Sequence, residues 1–414
     1  VKFVYMNLMP YRDLPKNFEK DYESVFISIP RTLYDPEKGH EMYNDYIDQY
    51  ELAIDLGFDA VGVNEHHSNG YGLMPSPNVM AATIARKVKD SEKACLVILG
   101  NSLALYNPPI RVAEELGMLD VITGGRLIAG FPVGTSMDTN YAYGISPAEL
   151  RPRYYEAHDL IKKAWTTDEV FHFNGKFNQL RYVNVWPRTQ QSPHPPIWIP
   201  GGAASLETWD WVAENDYQYS YLSFYGHKFA KDKFDKFWAR RQEKGYDMNP
   251  YKAAFVQMIC ISETDAKAQE EYEEHINYFF EKSFHVSPRY AEAPGYRSAR
   301  SVAHGMKSQY GSEGAGAQLR KGLSWQQLID QGFIVAGSPA SVREQLREAA
   351  KNLHVGNIIA MLNHGSMPQH LALKNIELMA KEVIPYLRDM WDDQWPVTNW
   401  PEVQLNSNNK ETVK

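Results

Sequence analysis

The sequence predicts a closed (β/α)8 barrel, and three observations carry that reading. Short β-rich apolar runs alternate with longer amphipathic stretches through most of the chain; eight such runs can be counted; and they are apolar on both faces, as strands covered by helices are. An open doubly wound sheet would show the same alternation, but no Gly-x-Gly-x-x-Gly opens the first helix. At 414 residues the chain is long enough for one large barrel, and 43% hydrophobic residues with 13% aromatics can fill its core.

The predicted strands are residues 3–7, 60–64, 94–102, 127–131, 197–199, 218–222, 253–261 and 357–361. Helical periodicity covers 42–57, 152–165, 207–214, 228–244, 264–280 and 341–352. The first of these places Tyr46, Tyr50, Leu52, Ala53 and Leu56 on one stripe and stops at Gly57. Two segments break the rhythm: 9–41, rich in proline and charge, and 283–323, which holds a glycine-rich stretch at 311–316. Loops of this length inside a compact domain serve as lids or mobile segments, and the second is expected to cover the site. The expected organisation is one domain over 1–390, with 283–323 as an insertion, followed by a tail over 391–414.

Net charge is −8, with acids and bases interspersed, which argues against a nucleic-acid or anionic-membrane surface. Cys95 and Cys260 each lie in an apolar run and read as small buried hydrophobes, not as a disulfide framework. The opening Val1-Lys2-Phe3-Val4-Tyr5 reads as a strand without a basic leader, and no apolar stretch approaches a membrane span. The expectation is a soluble, cytoplasmic protein.

The sharpest chemical constellation is Asn64-Glu65-His66-His67, directly after the second strand. Strand C-termini face the active site of such a barrel, so an acid and two imidazoles stand where chemistry happens; a hydrogen-bonded loop pair is the plainer alternative. A metal centre is disfavoured, because adjacent strand residues point to opposite faces and no His-x-His or His-Glu-x-x-His occurs. The segment from Asn107 to Leu127 reads as architecture: prolines enter a helix, Gly124-Gly125 turns the chain, and Arg111 and Arg126 pair with carboxylates. Pro200-Gly201-Gly202-Ala203-Ala204-Ser205-Leu206-Glu207-Thr208 leads from a strand into a helix. Exposed N–H groups, the helix dipole and two hydroxyls suit a phosphate there, although an ordinary serine cap fits equally. The stretch from Gly130 to Ser136 is a weaker candidate of the same kind.

In that order, these pieces resemble the luciferase-like flavin monooxygenases, particularly the bacterial luciferase alpha subunit. The resemblance runs from Val1 to about Arg388. It rests on Gly57-Phe58-Asp59-Ala60-Val61 leading to Glu65-His66-His67, on Pro109 to Glu115 with Leu119-Asp120 and Gly125-Arg126, and on Gly337-Ser338-Pro339 ahead of Val342. It implies FMN at the C-terminal mouth of the barrel, and reduced flavin that activates O2 as a C4a-peroxide to oxygenate a small organic substrate. His66 matches the family's catalytic histidine, with Glu65 beside it as a second catalytic candidate able, like Asn64, to fix its tautomer. Gly100 and Asn101 match backbone beneath the flavin ring. Gly202, Ser205 and Thr208 match the phosphate site, and Arg153 or Arg151 falls near an arginine that reaches the phosphate. The chain departs from the luciferase subunit at Pro132-Val133, where that subunit has Cys-Arg, so the resemblance carries no expectation of light emission.

The resemblance implies a two-component enzyme: reduced FMN comes from a separate NAD(P)H:flavin reductase, O2 is the co-substrate, and the chain forms a homodimer or higher homo-oligomer. Two other classes share the fold: an F420-dependent hydride-transfer oxidoreductase, and a non-catalytic flavin-binding partner subunit, against which the retained Glu65-His66-His67 argues.

Overall fold

This computed structural model describes residues 1–202, 206–222, 226–297 and 322–402. Its strands are β1 (Lys2–Met6), β2 (Ala60–Val63), β3 (Cys95–Ile98), β4 (Leu127–Gly130), β5 (Phe171–Asn174), β6 (Gln179–Val183), β7 (Ile197–Gly201), β8 (Gln218–Tyr221), β9 (Ala253–Ile261), β10 (Ile334–Gly337) and β11 (Asn357–Met361). Eight of them, in the order β1-β2-β3-β4-β7-β8-β9-β11, pair in parallel, and the β8–β9 and β11–β1 pairings close the ring. These are the eight runs read from the sequence. The fold is the (β/α)8 barrel.

Side-chain alternation explains why most barrel strands are apolar on both faces; β8 is an exception, with the buried polar pair Gln218 and Ser220 on one face. Tyr5 turns outward and packs edge-on against Tyr50 of helix Pro36–Asp55, with ring centroids 5.3 Å apart, whereas Met6 faces the barrel cavity. On β2, a Cβ placed on Gly62 would sit 3.1 Å from Leu99 Cδ1 and 3.3 Å from Val4 Cγ1, so Gly62 and, two residues on, Asn64 point into the barrel.

The helices start on signals written in the sequence. Asp35, Ser76, Ser338 and Thr264 cap the helices Pro36–Asp55, Pro77–Asp90, Pro339–Leu353 and Asp265–Tyr278 through their side-chain oxygens, the first three followed by proline. Each such cap contributes about 1 kcal/mol. Periodicity alone begins the first helix at 42 and the late one at 341; the Asp35-Pro36 and Ser338-Pro339 pairs move both starts upstream. Part of the long 9–41 link is therefore helix.

Two features lie outside the eight predicted runs. Strand β10 pairs with Met258–Ile261 at the far end of β9, which at nine residues outruns its neighbours and offers an edge there. The β5–β6 hairpin is antiparallel and half exposed, so it lacks the continuous apolar pattern of a buried strand. Arg111 pairs with Glu115, as the sequence indicates, but Arg126 pairs with no carboxylate among the described residues: its guanidinium donates to the carbonyls of Lys89, Ser91 and Thr123 and ties loops at the barrel's N-terminal end. At that same end Trp391 donates to the Val355 carbonyl and Trp198 to that of Asn399. Cys95 and Cys260 are buried, and burial pushes the Cys95 thiol up to about 12. Among the described residues, no helix is long and apolar enough to cross a membrane. Of the segment 283–323, residues 298–321 lie outside the described ones.

Candidate active site

The C-terminal ends of the strands open onto a cavity of about 700 Å³. Its floor is formed by inward side chains including Met6, Leu99, Ile199, Leu222 and Val256. Its polar wall comes from loops: Asn64, Glu65 and His66 after β2, Ser102 after β3, the run from Pro132 to Asp138 after β4, and Gly201-Gly202 at the end of β7. The sequence segments singled out for chemistry converge because parallel strands deliver all their C-terminal loops to one mouth.

His66 lines this cavity, and its Nδ1 lies 2.9 Å from Asp138 Oδ2. Because a carboxylate only accepts, Nδ1 carries the hydrogen, and Nε2 is the ring nitrogen left for a ligand. The His66 ring is held edge-on between Tyr71 and Phe26, at centroid distances of 4.9 and 6.1 Å. Asp138 is itself fixed: Oδ1 accepts the His67 backbone N–H at 2.7 Å, and Oδ2 also accepts the Thr135 hydroxyl at 2.8 Å. Burial works against the charge of Asp138, but His66 and these donors outweigh it and hold the carboxyl below its ordinary range. The sequence assigned the orientation of His66 to Glu65 or Asn64, and the structure corrects this. The partner is Asp138, in the helical turn Met137–Ala142, two residues beyond the 130–136 stretch that had drawn attention.

Glu65 faces the other way along the wall. Its Oε2 accepts the Ser102 N–H at 2.6 Å, and its Oε1 accepts from Tyr106 at 3.1 Å and from His67 Nε2 at 3.0 Å. Burial, then the Glu65 charge, pushes the Tyr106 hydroxyl far above its ordinary range and keeps it a donor. The two histidines thus diverge, as adjacent residues at a strand end should: His66 pairs with Asp138 at the cavity, and His67 pairs with Glu65 beneath Tyr143.

Gly100 is required where it stands. A Cβ there would fall 2.8 Å from the Glu65 nitrogen and 2.9 Å from the Asn64 carbonyl carbon, so only glycine lets the β3 loop lie against the end of β2. Asn101 follows in the left-handed region (φ 71°) and donates through Nδ2 to Tyr106 at 2.9 Å. Both sit between the cavity residues Leu99 and Ser102.

At the β7 side, Gly202 and Thr208 line the cavity, Thr208 in the first turn of helix Leu206–Glu214. Ser205 lies outside the described residues. The structure separates the two arginines. Arg151 reaches the cavity, and its Nη1 is buried without a hydrogen-bond partner among the described residues. Arg153 is not at the cavity; it pairs with Glu149 at 2.8 Å and lies 4.4 Å over the Phe177 ring. Helix geometry explains the difference, because residues two apart are about half a turn apart and face different sides. A buried guanidinium nitrogen without a partner among the described residues, in the same cavity as a glycine turn and the first turn of a helix, is chemistry that fits a phosphate.

A family model described as luciferase-like monooxygenase matches residues 24–355. The oxygenase component of a flavin-dependent trigonelline monooxygenase from Acinetobacter baylyi is 28% identical over 181 residues, 42% of this chain and 48% of that protein. The chain spans about half the length of several curated relatives it matches. A type II Baeyer-Villiger monooxygenase, the oxygenating constituent of 3,6-diketocamphane monooxygenase from Pseudomonas putida in complex with FMN, shares the fold. Its TM-score is 0.66 at 18% identity, over 93% of this chain and 98% of that one. An F420-dependent secondary alcohol dehydrogenase in complex with an F420-acetone adduct also shares it, with a TM-score of 0.61 at 16% identity over 94% and 99%.

Proposed function

The chain belongs to the luciferase-like monooxygenase family, and from that premise we propose that it is the oxygenating component of a two-component flavin monooxygenase. It would take reduced FMN from a separate NAD(P)H:flavin reductase, insert one atom of O2 into a small organic substrate and release the other as water, leaving oxidised FMN. The observation that carries the reading is a single cavity faced both by a carboxylate-held imidazole, His66–Asp138, and by Arg151, whose buried Nη1 is unpartnered among the described residues. Reduced FMN, when bound, supplies the electrons that activate O2.

Everything else falls to the protein. Arg151, Thr208 and the Gly201-Gly202 backbone hold the phosphate. Asp138 fixes His66 so that Nε2 can take or give a proton at the reacting atoms, a role suited to an imidazole near neutral pH. The Phe26, Tyr71, Phe280 and Phe284 rings along the cavity exclude water, which protects oxygen chemistry from hydrolytic side reactions. An anaerobic titration with reduced FMN, followed by mixing with oxygenated buffer, tests the proposal: bound flavin should reoxidise more slowly than free flavin. Failure to bind reduced FMN, with tight binding of F420 in the same titration, would move the protein to the hydride-transfer class.

A further inference from the structure

We infer that the Asn64 carboxamide is a ligand contact in the cavity wall, built for a bound edge that sets a hydrogen-bond donor beside an acceptor, as in a cyclic imide or amide. The inference deepens the reading of the cavity as a flavin and substrate site, and rests on it. Asn64 directly follows β2 on its inward face, is only 4% exposed, and lines the cavity. Neither Oδ1 nor Nδ2 has a hydrogen-bond partner among the described residues. Exchanging the two atoms changes nothing, because both positions are unpaired, so the deficit does not depend on the amide's orientation. Met6, Leu99 and Ile199, which line the same cavity, bring no amide, hydroxyl or charged group to it. A leucine of nearly the same shape would fill this place without burying two unpaired polar atoms. The complement of one unpartnered carbonyl beside one unpartnered NH2 is a donor next to an acceptor. Two sources carry that edge: the pyrimidine ring of the flavin, or an organic substrate bearing a secondary amide or lactam.

Calorimetric titration of the full chain with FMN, N3-methyl-FMN and 2-pyridone, on wild type, Asn64→Leu and Asn64→Ala, tests this. If the flavin is the source, wild type should prefer FMN to N3-methyl-FMN by about tenfold, and the leucine variant should lose that preference. If the substrate is the source, all three proteins should bind FMN alike, while 2-pyridone should bind about tenfold more weakly to both variants. In either case ligand-free Asn64→Leu should melt above wild type. Equal affinities for every probe across the three proteins would overturn the inference. A wild type that binds neither FMN nor, in the anaerobic titration, reduced FMN would refute the monooxygenase reading instead, and the 2-pyridone comparison would still decide the role of Asn64.

Discussion

Replacing Asp138 by asparagine is the sharpest single test of the mechanism, because the change is nearly isosteric and its consequence can be worked out atom by atom. Asp138 accepts from His66 Nδ1, from the Thr135 hydroxyl and from the His67 N–H. In the variant, the remaining carboxamide oxygen can keep the His67 bond, and the Thr135 hydroxyl can rotate to accept. His66 has no such freedom: facing an NH2 group, Nδ1 must become the acceptor, so the ring hydrogen moves to Nε2. The cavity then loses its proton acceptor. A misplaced tautomer or a lost general base costs about 10²–10⁴ in rate, or roughly 3–5 kcal/mol of barrier. The substitution lies away from the phosphate end, so FMN affinity should stay within about threefold, less than about 1 kcal/mol. The assay is kcat at saturating reduced FMN with any substrate oxygenated by wild type, from a panel of aldehydes, ketones and N-heteroaromatics, alongside the FMN dissociation constant. Full turnover, or a loss explained entirely by weaker flavin binding, refutes the positioning role. The same substitution has a stability signature. A carboxyl held below its ordinary value stabilises the fold above its unfolded pKa, and that contribution is lost as pH falls through the folded value. The variant should therefore be less stable than wild type at neutral pH, with the gap closing in acid.

Arg151→Gln should weaken FMN about tenfold or more and leave riboflavin nearly unchanged, whereas Arg153→Gln should alter neither; the reverse pattern would return the phosphate contact to Arg153. Thr208→Val should behave as a weaker version of Arg151→Gln in the same titration. His66→Ala should lower turnover by about 10²–10⁴ with near-normal flavin binding, and His67→Ala by less, since His67 meets Glu65 and Tyr143 instead of the cavity. His364 is fully buried, and burial lowers its pKa from 6.5 to about 4, opposed by its hydrogen bond to the Ile259 carbonyl. The unfolded chain therefore takes up that proton first. Stability present at pH 7 should fall as pH drops from 6.5 towards 4, by about 3 kcal/mol in all. Urea unfolding at pH 7 and pH 4.5 should show the loss in wild type and a smaller one in His364→Gln.

The barrel was legible because its strands are buried on both faces, and an apolar run between helical stretches is a local signal. Ala60–Val63 and Ala253–Ile261 could be read without any knowledge of their neighbours. What escaped was whatever depends on a partner distant in sequence or on partial exposure. Strand β10 carries the same buried apolar run as the barrel strands, Ile334-Val335-Ala336, and what its residues do not reveal is its place outside the ring, on the part of β9 that extends past the end of β11. The β5 strand, alternating half-buried and exposed residues, carries the pattern of a surface hairpin and was passed over by a search for buried runs. Helix starts were the opposite case: the Asp35-Pro36 pair states the boundary plainly, and the hydrophobic stripe obscured it.

The same division runs through the site. His66 could be placed because its position at a strand end is a one-dimensional fact that the barrel converts into a location. Its partner could not, because Asp138 is 72 residues away and meets it only after β2 and β4 have delivered their loops to the same mouth. One rule would have found it: any acid in a loop after a barrel strand is a candidate partner for an imidazole in another such loop. Applied to the loop after β4, that rule leads directly to Asp138, the first acid after Gly130. Arginine choice shows the limit of such rules. Arg151 and Arg153 share a helix and a neighbourhood, and only the turn of that helix decides that one faces the cavity while the other meets Glu149. A polar atom left without a partner among the described residues, as on Arg151 and Asn64, is recognised only when the fold is assembled around it. Those two groups are therefore where the structure says more about the ligand than the sequence could.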